Sequence, residues 1–245
     1  MDKWYKSKGF KHNPLNIQAE FKDILYGYDV LIEELFYRVS SGNIIFIEGD
    51  SGKTSLLYKI IENYKGKGKV AYVDCSKITE DLNIKQLIAN GKKGLKAKFN
   101  GLPKKMILLL DNIDNLSDKN SEMIKYYFDQ DNIQSVVMTS NSYKDVMLPD
   151  SIRHRIGNRI YKTKNLTEEE ISELVLERLR YATFISESQV EKIVHRTHKK
   201  GLKVVFTEIS AALLLMINAR EAKMTDGIVN RLLHMPEDER QAYNI

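Results

Sequence analysis

The segment Ile44-Ile45-Phe46-Ile47-Glu48-Gly49-Asp50-Ser51-Gly52-Lys53-Thr54-Ser55-Leu56-Leu57 constrains the fold of this chain more than any other. A β-branched and aromatic run ends in a Gly-rich turn, and Gly-Lys-Thr then opens an amphipathic helix. That is the layout of a phosphate-binding loop. Backbone N–H groups at a helix N-terminus, the helix dipole and one lysine hold a polyphosphate, while a threonine hydroxyl holds Mg²⁺. Gly49, Asp50, Ser51, Gly52, Lys53, Thr54 and Ser55 are therefore the candidate nucleotide-binding residues. The spacing is irregular. The pattern G-x-x-x-x-G-K-[ST] requires glycine at position 47, where this chain has Ile47; anchored on Gly49, the loop is two residues short. Strand, lysine and helix argue for a nucleotide site, and the loop length argues for weakened affinity.

The order of elements extends the argument. Asp29 to Val39 reads as a helix, with Leu31, Ile32, Leu35, Phe36 and Val39 on one face. Strands are expected at Ile44–Ile47, Val70–Asp74, Met106–Leu110, Gln134–Thr139 and Arg159–Thr163, with helices from Lys53 to about Tyr64 and over Ser121–Phe128. Apolar strands bounded by helices mean a parallel sheet covered on both faces. From Leu166 onward no strand pattern recurs. Thr167-x-x-Glu170 and Ser186-x-x-Gln189 are capping boxes, opening helices to about Tyr181 and about Lys199. A third helix is expected at about Val205–Met224 and a shorter one at Ile228–Leu233. The fold class is thus α/β: a five-stranded parallel sheet flanked by helices, then a small all-α lid. The expected divisions are 1–28, an N-terminal lead; 29–165, the α/β domain; 166–235, the lid; and 236–245, a tail.

Composition narrows the class. A hydrophobic content of 42% and a charged content of 29% fit a folded domain with an ordinary core. The N-terminus leads into no apolar signal segment, and no apolar run approaches the ~20 residues of a membrane span. One cysteine, Cys75, excludes an internal disulfide and fits a reducing cytoplasm, the expected location. A net charge of +5 permits contact with nucleic acid or acidic lipid without establishing it.

The strand Met106–Leu110 ends in Asp111, 58 residues beyond Lys53. A carboxylate at the carboxyl end of a buried parallel strand lies beside a phosphate loop and can hold the Mg²⁺ shell. Thr54 and Asp111 are the candidate metal ligands.

The order GKTS, LLLDNID, VVMTSN, SIRHRIG and then a helical lid resembles the AAA+ P-loop ATPases. Within them it is most similar to the archaeal initiator-like branch (the origin-recognition relatives) and to compact archaeal ATPases. The lead Gly9-Phe10-Lys11-His12-Asn13-Pro14-Leu15, followed by Tyr26-Gly27-Tyr28-Asp29, resembles the segment lining the adenine pocket. The resemblance implies ATP or ADP with Mg²⁺ as cofactors. Lys53 would contact the β- and γ-phosphates, and Thr54 and Asp111 the Mg²⁺. Asn141 matches the sensor-1 position, which orients the attacking water or the γ-phosphate. Arg153 or Arg155 matches the arginine-finger region that reaches a neighbouring subunit's nucleotide; Arg155-Ile156-Gly157 aligns better. That role implies a homo-oligomer or a protein partner.

Three departures from the family pattern bear on catalysis. The residue after the strand-ending Asp is usually a water-activating Glu; here it is Asn112, whose amide cannot take a proton. Asp114 can substitute only where the strand has already ended. The phosphate loop is short. The sensor-2 arginine of the lid is replaced by Lys203, a point charge without the guanidinium fork. Together these imply a slow or lost hydrolase. The initiator relatives carry a winged-helix domain after the lid, whereas this sequence ends at Ile245.

Residues 90–105 hold Lys92, Lys93, Lys96, Lys98, Lys104 and Lys105 among Leu95, Phe99 and Leu102. Such a loop can grip DNA phosphates, with Phe99 stacking on a base, or meet an anionic surface or a partner, or simply be solvated. His195 and His198 share a helical face without an obvious third metal ligand. Two functions from different classes follow: an ATP-dependent switch or slow ATPase acting on DNA or a protein assembly, and a non-hydrolysing adapter that keeps the fold to bind a protein.

Overall fold

The computed structural model describes residues 4–16, 25, 27–64, 69–78, 81–90 and 102–236. They divide into two compact units. Gly27–Asn165 form the α/β unit; the described residues before Gly27 and after Asn165 form the helical one.

In the α/β unit the strands are β1 (Ile44–Glu48), β2 (Val70–Asp74), β3 (Met106–Asp111), β4 (Ile133–Ser140) and β5 (Ile160–Lys162). All pair in parallel, in the order β2-β3-β4-β1-β5. Side chains alternate between the faces of a strand, and both faces are buried. Ile44, Phe46, Leu108, Leu110, Val136 and Met138 share one core with Ile124 and Ile152. Ile45, Ile47, Leu109 and Val137 are equally buried on the opposite face. The helices α2 (Asp29–Ser40) and α3 (Lys53–Asn63) pack on the sheet and bury Leu35, Val39, Leu56, Leu57 and Ile60. The register brings the strand ends into one row: Asp74 lies opposite Asp111, and Glu48 opposite Ser140.

Helix α4 (Ile84–Asn90) is followed by residues 91–101, which lie outside the described region along with most of the Lys-rich loop. Two features of this unit differ from the sequence expectation. Helix α5 begins at Asp118 rather than Ser121, because the Ser117 hydroxyl accepts the Asn120 N–H at 3.2 Å and caps the helix there. Residues 150–156, to which the sequence pattern assigns neither helix nor strand, form helix α6 (Asp150–Ile156). Pro149 precedes its first turn, where a missing N–H costs nothing.

The helical unit contains α1 (Trp4–Ser7), α7 (Glu168–Arg178), α8 (Glu187–Thr197), α9 (Leu202–Asn218) and α10 (Asp226–His234). Both capping boxes are present: Thr167 with Glu170, and Ser186 with Gln189. The core joins Leu174 and Val175, Ile193 and Val194, Phe206 and Leu213, and Val229 and Leu232 from the successive long helices. Trp4 and Leu15 belong to this same core, so the described residues of the lead before Gly27 fall in the helical unit, whereas Gly27 and Tyr28 fall in the α/β unit. Left-handed backbone at Arg180 and Tyr181 stops α7 before Tyr181. Arg220, at φ 57°, likewise ends α9 well before Met224. Gly201 at φ 93°, ψ 160° is not helical, so α9 starts directly after it at Leu202. A 3-10 turn, His198–Lys200, replaces the expected last turn of α8.

Candidate functional site

The strand ends converge on the loop that joins β1 to α3. Ile47, at the position where the motif has its first glycine, is an interior residue of β1 with no solvent exposure, paired with Thr139 and Tyr161. The turn therefore begins at Gly49, and the loop is short because the strand runs on. Gly49 adopts φ 137°, and a Cβ there would overlap the Thr163 hydroxyl oxygen. Gly52 caps α3 in the left-handed region at φ 84°, with the Tyr28 hydroxyl 3.2 Å from where its Cβ would be. Tyr28 in turn accepts the Lys164 N–H at 3.0 Å. Two neighbouring side chains thus brace the short loop.

Lys53, the first residue of α3, is only 5% exposed. Its ammonium donates to the Gly49 carbonyl and, at 2.8 Å, to the Asn141 side-chain oxygen. Asn141 also accepts the Gly49 N–H on its backbone carbonyl at 3.2 Å. Burial lowers the Lys53 pKa, and the fields of Asp111, Asp50 and Asp114 oppose that shift.

Asp111 is 1% exposed. Its Oδ2 accepts the Thr54 hydroxyl at 2.6 Å and the Tyr72 hydroxyl at 3.1 Å, and its Oδ1 accepts the Thr139 hydroxyl. Burial and the adjacent Asp111 carboxylate push the Tyr72 phenol upward. Thr54 and Asp111 present hard oxygen donors at one point, the chemistry Mg²⁺ takes when it also binds phosphate. A short lysine-bearing loop at a helix N-terminus and this oxygen pair fit a magnesium–polyphosphate group.

β3 ends at Asp111, and Asn112 turns the chain out of the sheet at φ 56°, ψ 62°. The Asn112 N–H donates to the Thr139 hydroxyl at 3.0 Å, and its side-chain amide reaches Asp74 Oδ1 at 3.4 Å. Burial raises the Asp74 pKa, but hydrogen bonds from Ser76, Lys77 and Asn112 outweigh it and leave the carboxyl at about 2. Asp114 sits in the 3-10 turn Ile113–Asn115, exposed, and accepts the Ser140 hydroxyl at 2.5 Å. Because the strand has ended, Asp114 is not held to the face of Asn112.

The remaining candidates make contacts of their own. Arg155 makes a two-point contact with Asp129, at 2.7 and 3.0 Å. Arg153 donates to the Val146 and Leu148 carbonyls and stacks on Tyr143, its guanidinium carbon 4.9 Å from the ring centre. Both are held by their own domain. Lys203 is exposed on the first turn of α9 in the helical unit. Of the loop lysines, Lys104 and Lys105 are described and exposed; Lys92, Lys93, Lys96 and Lys98 lie outside the described residues. His195 and His198 both meet Glu168, at 2.9 and 3.2 Å, and no group of three potential metal ligands occurs among the described residues. Cys75 is buried, which together with Asp74 and Asp111 raises its thiol to about 12. No described helix is long and apolar enough to cross a membrane.

Sequence motifs alone do not single out Asp74, Tyr72 and Thr139. A signal for them exists: in a parallel sheet the last residues of every strand surround the same crevice. Position in the strand matters more than motif membership.

Residues 41–171 match the family model described as AAA domain. No curated protein matches the sequence. Among solved structures, the Orc1 protein of Aeropyrum pernix in complex with DNA aligns with a TM-score of 0.69 and 13% identity, over 95% of this chain and 72% of that one. Cdc6p from Pyrobaculum aerophilum aligns at 0.66 and 18% identity, over 86% and 67%. The RuvB Holliday junction branch migration motor of Thermotoga maritima aligns at 0.65 and 15% identity, over 87% and 71%. At such identities the likeness is one of fold.

Proposed function

This chain belongs to the AAA domain family, and we propose that it binds ATP or ADP with Mg²⁺ and works as a slow ATPase or nucleotide-dependent switch. The observation that carries this reading is the convergence of Lys53 with Asn141 and of Thr54 with Asp111 at the carboxyl edge of one sheet. In this reading the N–H groups of Gly49–Ser55 and the Lys53 ammonium hold the phosphates, and Thr54 and Asp111 hold Mg²⁺. The ion would neutralise charge that develops on the phosphoryl oxygens. Asn141 keeps Lys53 in place and stands near the terminal phosphate. Asn112 can orient a water molecule but cannot accept its proton, which makes turnover slow.

Asp114 offers a second route for that proton. Its exposed carboxylate stands in the turn after β3, and its field reaches Lys53. Loss of residual hydrolysis in Asp114→Asn, with nucleotide affinity retained, would assign it the base. The relatives of known structure include one in complex with DNA and a branch-migration motor, which supports DNA, or a protein assembly on DNA, as the target. Arg155 would serve a neighbouring copy's nucleotide only after releasing Asp129.

The short loop and Asn112 equally support the alternative, a hydrolysis-deficient adapter that retains the fold for a protein partner. Calorimetric titration with Mg-ATP and Mg-ADP decides between them. Saturable binding that is abolished in Lys53→Ala supports the switch, and no binding at millimolar nucleotide leaves the adapter.

A further inference from the structure

The sequence invites one repair, a glutamate at position 112, and the structure places an obstacle against it. The Asn112 amide faces the Asp74 carboxylate across the ends of β3 and β2, Nδ2 to Oδ1 3.4 Å. The backbone fixes this encounter on both sides. β2 and β3 stay in register up to Asp74 opposite Asp111, so residue 112 is the first beyond the sheet. Its left-handed turn and its N–H bond to Thr139 set where the side chain leaves. Asp74 is held as firmly: its Oδ1 accepts the Ser76 N–H at 3.2 Å and the Ser76 hydroxyl at 2.6 Å, and its Oδ2 pairs with Lys77 at 2.9 Å.

An amide beside a carboxylate must present its NH₂ group, which turns the Asn112 oxygen away from Asp74. A carboxylate at position 112 has no N–H to offer and would bring a second negative charge against the first. We propose that Asp74 is a positioning residue that decides what position 112 can carry: its charge holds an amide there, and a catalytic carboxylate at 112 requires that the charge at 74 be removed. This rests on the slow-ATPase reading for its effect on turnover, and on geometry alone for the pairing.

The test uses the full chain as wild type, Asn112→Glu, Asp74→Asn and the double variant. Asp74→Asn keeps an oxygen to accept from Ser76, so the turn at Cys75–Lys77 is preserved. Without nucleotide, Asn112→Glu should lower the urea midpoint more when Asp74 is retained than when added to Asp74→Asn, the cost of a glutamate on left-handed backbone being common to both. Single-turnover hydrolysis should stay near the wild-type rate in Asn112→Glu and rise by ~10²-fold or more in the double variant, the scale of general-base assistance. Nucleotide affinity should match in the two, so that the gain lies in turnover rather than binding. The inference is overturned by an equal drop in midpoint with and without Asp74→Asn, or by Asn112→Glu alone activating as strongly as the double variant. Failure of the wild type to bind nucleotide would sink the ATPase reading instead, while the stability comparison would still decide the pairing.

Discussion

The Lys53 ammonium donates to the Asn141 side-chain oxygen at 2.8 Å, tying the loop after β1 to the end of β4. The lysine is nearly enclosed, and its other donation goes to the Gly49 carbonyl of its own loop. Under the proposed function, Asn141 would therefore act on nucleotide binding as well as on chemistry.

Asn141→Ala should weaken Mg-ATP affinity. A hydrogen bond to a charged group contributes about 1.5–3 kcal/mol, so the dissociation constant should rise by roughly 10- to 100-fold. Calorimetry reads this directly. An unchanged constant with slower hydrolysis would confine Asn141 to the chemical step.

Gly49→Ala should destabilise the α/β unit and abolish nucleotide binding. The new methyl would overlap the Thr163 hydroxyl, on backbone at φ 137° that disfavours a side chain. Overpacking and backbone strain of this kind each cost about 1–3 kcal/mol. Adding Thr163→Ala removes the closest atom but not the backbone strain, so the denaturation midpoint should recover only in part. Full recovery would show that crowding alone requires this glycine.

Asp74 should make stability depend on acid. Its folded pKa of about 2 lies below the ordinary 3.8, so its contribution is fully present above pH 4 and disappears as the pH falls toward 2. The carboxyl is about a quarter exposed, which caps the effect at about 2 kcal/mol. Wild type should exceed Asp74→Asn in denaturation midpoint at pH 6, and the gap should close by pH 2. A gap independent of pH would assign the difference to packing.

Replacing Lys92, Lys93, Lys96 and Lys98 with alanine should weaken DNA binding and flatten its dependence on salt. Each phosphate that is no longer neutralised should reduce the log–log slope by roughly 0.7–0.9, according to strand type. Phe99→Ala should cost single-stranded binding ~1–3 kcal/mol and spare duplex. Fluorescence anisotropy at two salt concentrations measures both. No binding at low salt would remove DNA as the ligand of this loop.

Much of the fold was legible because local patterns report local physics. The apolar run Met106–Leu110 reads as a strand covered on both faces, and Thr167-x-x-Glu170 as a helix start, since the first is a matter of side-chain hydrophobicity along the run and the second of capping bonds made within four residues. Lys53, Thr54 and Asp111 could be named together because a helix start and a strand end in a parallel sheet must share one edge. Tertiary structure alone decided the rest. Nothing near Asn112 in sequence points to Asp74, which lies 38 residues away and meets it only through strand register. The brace on Gly49 comes from Thr163 beyond β5, and the arginine expected to be free is held by Asp129 on another helix. Sequence periodicity records which face of an element is buried, but the partner of a polar side chain is set by which elements become neighbours, and that is fixed only when the sheet assembles.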